Sequence, residues 1–239
     1  MTIRPRRSAL YMPGSNARAI EKAKSLAADV VIFDLEDAVA PEQKAEARAQ
    51  VCTAVKAGGF GRRELVVRIN ALDTPWAADD IAAVVEAGPN ALLVPKVSRA
   101  NDLSGVTQSL SGAPEDLAVW AMIETPMGIV NVAEIAAVAT EPGARLVCFV
   151  IGTNDLVKDT RATLDRDRTS ALYWLSATVT AARAFGIDVL DGVYNDFKDL
   201  DGFARECAQG RMLGMDGKTL IHPTQIDGAN AAFSPPEAE

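Results

Sequence analysis

Short apolar runs, each bounded by Gly, Pro, Asn or Asp, recur along the chain and alternate with stretches whose apolar residues fall three or four positions apart. The runs are too short for ordinary helices and read as strands, and the stretches between them read as amphipathic helices. The predicted strands are Ser8–Met12, Asp29–Phe33, Leu65–Ile69, Ala91–Val94, Ala118–Ile123, Arg145–Ile151, Asp188–Leu190 and Thr219–Ile221. The predicted helices are Ala17–Ala28, Pro41–Ala57, Ala77–Ala87, Ala100–Leu110, Gly128–Ala139, Thr169–Phe185 and Gly202–Leu213. Eight strands alternating with helices, with no hairpin turns, favour an α/β chain folded as a (β/α)8 TIM barrel. The alternative is an open doubly wound sheet. Against it, Pro13-Gly14-Ser15-Asn16 after the first strand is a turn and not a glycine-rich dinucleotide loop. The last unit is short: Pro223 to Phe233 makes about two or three helical turns before Ser234-Pro235-Pro236. Either the eighth helix is stunted or a neighbouring subunit covers that side. No linker or composition shift divides the chain, so residues 1–239 are expected to form one barrel domain.

The same pattern gathers polar residues at one mouth, because side chains just past the C-terminal ends of barrel strands face the active site. Ala118–Ile123 runs into Glu124, and Arg145–Ile151 runs into Gly152-Thr153-Asn154-Asp155. Alone, Glu124 caps the helix beginning near Pro126 and Asp155 is an ordinary N-cap. In register, the two carboxylates form a hard oxygen pair suited to Mg²⁺, with water or substrate completing its shell. Other strand ends carry Asp34-Leu35-Glu36-Asp37, Arg68-Ile69-Asn70, Pro95-Lys96 and Asp191-Gly192. Arg68 is preorganised to hold a carboxylate in a fork, or else it is the structural partner of Glu36 or Asp37. A metal beside an arginine suits a 2-oxo acid and chemistry that passes through an enolate. The single histidine, His222, excludes Ser-His-Asp and Cys-His arrangements; beside Pro223 its default role is structural.

Composition changes little. At 49% apolar residues the chain can bury a substantial core, and a net charge of −8 without a Lys/Arg-rich run argues against nucleic acid as a partner. The basic start Met1-Thr2-Ile3-Arg4-Pro5-Arg6-Arg7 precedes no long apolar segment, which argues against a secretory signal or membrane span. Cys52, Cys148 and Cys207 are far apart and lack metal-ligand spacing, in keeping with buried thiols in a reducing cytoplasm.

Seven motifs in order resemble the citrate lyase β-subunit-like family, which includes malyl-CoA and citramalyl-CoA lyases and the HpcH/HpaI aldolases of the phosphoenolpyruvate/pyruvate-binding barrel superfamily. They are Arg7-Ser8-Ala9-Leu10-Tyr11-Met12-Pro13-Gly14, Asp34-Leu35-Glu36-Asp37-Ala38-Val39, Val67-Arg68-Ile69-Asn70, Pro95-Lys96-Val97, Ile123-Glu124-Thr125-Pro126, Gly152-Thr153-Asn154-Asp155, and Gly217-Lys218 with Ile221-His222-Pro223. The resemblance implies that Glu124 and Asp155 ligate Mg²⁺. Arg68, Glu124, Asn154 and Lys96 would bind substrate. Glu36 and Asp37 would join Arg68 in catalysis by orienting it and metal-bound water. Tyr11, Lys22, Ile221 and His222 would contact the CoA or acyl-carrier part. It further implies a trimer or hexamer that cleaves or forms a 3-hydroxy-3-carboxy-acyl thioester, giving a 2-oxo acid and an acyl thioester.

Two departures stand out. Asn16 occupies a position where such lyases often carry Arg, leaving Arg18 to reach for the CoA phosphates. The chain also stops at Glu239, where lyases continue into a lid carrying an acid/base Asp, so a barrel without that lid is expected. A Mg²⁺-dependent carbon–carbon lyase is therefore the leading expectation. Acyl-CoA thioesterase activity and a partner-requiring subunit that binds a 2-oxo acid are the alternatives. A pyruvate aldolase acting on free aldehydes ranks below them, because such enzymes commonly use an early histidine.

Overall fold

A computed structural model describes residues 4–235; Met1–Ile3 of the basic start and Pro236–Glu239 at the other end lie outside the described residues. Eight parallel strands close into a barrel in sequence order: β1 (Ser8–Pro13), β2 (Val30–Asp34), β3 (Glu64–Arg68), β4 (Ala91–Val94), β5 (Ala118–Ile123), β6 (Leu146–Ile151), β7 (Asp188–Asp191) and β8 (Gly217–Leu220). Among the described residues ten α-helices surround it: α1 (Ala17–Ala23), α2 (Lys44–Ala57), α3 (Ala77–Ala87), α4 (Ala100–Ser109), α5 (Pro126–Val130), α6 (Val132–Ala137), α7 (Thr153–Thr160), α8 (Leu172–Ala184), α9 (Leu200–Met212) and α10 (Ile226–Phe233).

Alternation along each strand sorts the core into two layers. Val30 and Ile32 of β2 face the barrel interior with Trp120, Met122 and Val150. Val31 and Phe33 face outward, where they pack with apolar residues of the surrounding helices such as Val51 and Val55. The interior is closed at the N-terminal end by Arg6. Its guanidinium holds Glu64 through Nε and Nη2, both at 2.8 Å, reaches Asp188 at 2.7 Å, and lies 4.9 Å from the centre of the Trp120 ring. Arg6 thus fills the N-terminal end of the barrel interior, leaving it open toward the C-terminal mouth.

Several elements differ from the periodicity. The first helix ends at Ala23 rather than Ala28, because the chain tightens into i→i+3 bonds at Lys24, Ser25 and Leu26, and Arg63 takes the Leu26 carbonyl from across the barrel wall. The expected fifth helix is two, broken at Asn131, whose side chain donates to the Ser98 carbonyl at 2.9 Å. A short helix, α7, follows β6 where only a cap was expected. β8 begins at Gly217, earlier than Thr219, with the Lys218 stem fully buried. The eighth helix is short, as its length required, and packs against α9, β8 and β1, covering the closing seam. Asn16, the apparent departure, acts locally, its side chain capping α1 by accepting from the Ala19 N–H at 3.0 Å.

Candidate active site

The site grows from the β2–β3 register. Asp34 and Arg68 are direct cross-strand partners at the strand ends, so their side chains meet without any loop to place them. Arg68 donates through Nε to Asp34 Oδ1 at 2.7 Å and through Nη2 to Asp34 Oδ2 at 2.6 Å. Its Nη1 lies 3.0 Å from Glu36 Oε2 and 3.4 Å from Asp37 Oδ2, and the guanidinium sits 4.9 Å over the Tyr11 ring. Burial opposes the charge on Arg68, but Asp34 and Glu36 more than offset it and raise its pKa well above the ordinary value. Glu36 and Asp37 were the partners expected from sequence. Asp34 is the dominant one and was missed, although aligning the two strand ends would have found it.

Glu36 is positioned from two sides. Buried Lys44 donates from Nζ to the Leu35 carbonyl at 2.8 Å and the Glu36 carbonyl at 2.6 Å, while Lys96 Nζ reaches Glu36 Oε1 at 2.7 Å. Lys96 also donates its backbone N–H to Glu124 Oε1 at 2.8 Å. To do both it adopts φ 54°, a left-handed conformation that costs a non-glycine residue about 1–3 kcal/mol. Strain is thus stored where one residue couples the two halves of the mouth.

Glu124 is buried beside Gly152, and any Cβ there would strike its side chain. Burial first, then the like charges of Glu36 and Asp155, push its carboxyl up to about 8 against the opposing pull of Arg68. Burial likewise raises Glu36. Asp155, in the first turn of α7, accepts no hydrogen bond from the described residues. Tyr11, Arg68, Glu124, Asn154, Asp155 and Asn195 share a cavity of about 400 Å³. Ile221 joins that wall, whereas Lys22 is exposed on α1 and neither Glu36, Lys96 nor His222 lines it. His222 caps the turn at Pro223 and stacks on Phe197 with centroids 4.4 Å apart, the structural role expected by default.

The donor set fits a divalent cation held by few protein ligands. Among the described residues no group of three or more His, Cys, Asp or Glu is arranged to hold a metal, so a site here rests on the Glu124 and Asp155 pair with water or substrate. Ionised, the carboxylates of Asp34, Glu36, Asp37, Glu124 and Asp155 exceed the cations Arg68, Lys96 and Lys44 by two charges. A doubly charged cation neutralises that excess.

Fold and mouth together define a (β/α)8 barrel with carboxylates and Arg68 converging at the C-terminal ends of its strands, where active sites of this fold lie. The chain belongs to the HpcH/HpaI aldolase/citrate lyase family, whose pattern matches residues 7–223. It is 50% identical to a (3S)-malyl-CoA thioesterase of Cereibacter sphaeroides over 98% of this chain and 79% of that protein. It is 35% identical to citrate lyase subunit beta of Escherichia coli over 99% of this chain and 79% of the relative. Among solved structures, a citrate lyase beta subunit of M. tuberculosis complexed with oxaloacetate and magnesium superposes with a TM-score of 0.80 at 32% identity, covering 97% of this chain and 98% of the other.

Proposed function

We propose that the chain is a Mg²⁺-dependent enzyme acting on the CoA thioester of a 3-carboxy-3-hydroxy acid of the malyl kind, and that it hydrolyses the thioester. The observation that carries this reading is the convergence of Arg68, Glu124 and Asp155 on one cavity. The Nε and Nη2 edge of Arg68 belongs to Asp34 and Nη1 lies 3.0 Å from Glu36, so a substrate carboxylate would reach the Nη1 side in place of Asp37. Asp37, whose side chain is 63% exposed, is the weakest of the present partners and would give way. Glu124 and Asp155 would hold the cation, which would orient the hydroxy-acid end and offset charge developing there, an effect worth several kcal/mol.

In hydrolysis, the oxygen of a water molecule bonds to the thioester carbon. The water gives up its proton to solvent at the open mouth, the C–S bond breaks with its electron pair going to sulfur, and the departing thiolate takes a proton from solvent. Glu36, buried away from the cavity, positions Arg68 and Lys96 rather than touching substrate. The high identity to a protein named (3S)-malyl-CoA thioesterase supports hydrolysis over carbon–carbon cleavage, which reverses the order expected from sequence. The lyase reading stays as the second, supported by the citrate lyase relative and by a pocket suited to the 2-oxo acid that cleavage would release. The same reading carries homotrimer or hexamer assembly, which sedimentation equilibrium checks.

The deciding experiment is an incubation with malyl-CoA and Mg²⁺, assayed for free thiol and for glyoxylate. Thiol with malate and no glyoxylate is the expected result. Glyoxylate and acetyl-CoA in equal amounts would overturn hydrolysis in favour of the lyase.

A further inference from the structure

Resting on the proposed thioester chemistry, we infer that Asn195, paired with Asn154, is the hydrogen-bond donor to the thioester carbonyl oxygen and so a specificity-determining residue for the acyl end of the substrate. The two carboxamides face each other across the mouth. Asn195 Nδ2 donates to Asn154 Oδ1 at 2.8 Å and Asn154 Nδ2 donates to Asn195 Oδ1 at 3.2 Å. Each amide nitrogen keeps a second N–H, and both residues are exposed and line the cavity.

Elimination points the same way. With the substrate carboxylate on Arg68, the far wall of the cavity receives the thioester. The Arg68 side carries Asp34 and Asp37, which repel a developing oxyanion. Among the hydroxyls of the cavity wall, that of Thr219 donates to the Asp191 carbonyl at 2.9 Å and that of Tyr11 points at Met122 Sδ at 3.8 Å. Thr153 is buried against Gly192. The two amides are the exposed side-chain donors of that wall.

The loop that carries Asn195 is built to hold it still. Lys218 Nζ donates to the Gly192 carbonyl at 2.6 Å, Gln225 Nε2 to the Tyr194 carbonyl at 3.0 Å, and the Tyr194 hydroxyl to Asp199 at 2.8 Å. A fixed donor aimed at developing charge needs little reorganisation as the reaction proceeds. Negative charge gathers on the thioester oxygen whether water adds to that carbon or a C–C bond breaks to leave an enolate, so the inference holds for either reaction.

The test uses the whole chain with malyl-CoA and Mg²⁺, alongside calorimetric binding of oxaloacetate. Asn195→Ala should lower kcat by about a hundredfold to a thousandfold with oxaloacetate binding unchanged, the range set by losing one oxyanion donor. Asn195→Asp keeps the size and should lower kcat at least as far, because it sets a carboxylate against the oxyanion. Asn195→Asp with wild-type kcat would mean a packing role and overturn the inference, as would Asn195→Ala within twofold of wild type. A wild-type chain that binds no oxaloacetate and turns over no thioester would overturn the underlying reading instead.

Discussion

Arg68 has three carboxylate partners of unequal commitment: Asp34 locked in a two-bond fork, Glu36 buried at its side, and Asp37 loosely placed and exposed. Asp34→Asn leaves a buried guanidinium short of its main counter-charge, which costs about 3–5 kcal/mol for a buried pair. Urea unfolding should show that loss, and calorimetry should show oxaloacetate binding weakened by about tenfold or more. Gly152→Ala should act differently, forcing Glu124 aside while its own helix end stays intact; Mg²⁺ affinity falls and folding stability changes less. The sequence offered Glu124, Asp155 and Arg68, which the structure brings to one cavity, as candidates because each follows or closes an apolar run. It did not reveal Lys44 or Asn195. Lys44 sits in a helical stretch that reads as solvated, and Asn195 lies in a loop with no periodicity to place it.

The strands were legible nearly end to end, since apolar runs bounded by breakers leave little freedom. Short helices were not. α7 has only eight residues and starts inside the motif that supplies Asp155, so its period never emerged. β8 was misjudged at its start because Lys218 looks like a loop residue. Its ammonium is instead buried at 2.9 Å from Asp191, which Arg168 also holds at 2.8 Å. Burial alone would raise the Asp191 carboxyl, but Lys218 and Arg168 pull it below its ordinary value. A carboxyl with a depressed folded pKa gives stability that is present above the unfolded value of about 3.9 and lost as pH falls through the folded value. Unfolding free energies measured from pH 5 down to pH 2 should therefore decline less steeply in Asp191→Asn than in wild type. Lys218→Met should cost about 3–5 kcal/mol, and adding Asp191→Asn should recover part of it, the sign of a coupled pair.

Seen whole, the barrel is sealed below by Arg6 and open above, so a ligand at the mouth bears on several strands at once. No helix among the described residues is long and apolar enough to cross a membrane, and the chain carries a net charge of −8. With that excess, the proposed binding of an anionic substrate would depend on cations concentrated at the mouth and on the Mg²⁺ of the proposed function. Oxaloacetate with Mg²⁺ at about 100 times its Kd should stabilise the fold by about 2.7 kcal/mol, or about 5–10 °C in Tm for a chain of this size. Arg68→Ala should abolish that shift.

The most direct test of the site is calorimetric titration of oxaloacetate into the purified chain, with and without Mg²⁺, on wild type and on Glu124→Gln. Binding that requires Mg²⁺ in wild type and disappears in Glu124→Gln is the result this structure predicts. Binding of equal strength without the metal, or intact in Glu124→Gln, would contradict the assignment of Glu124 and Asp155 as its ligands.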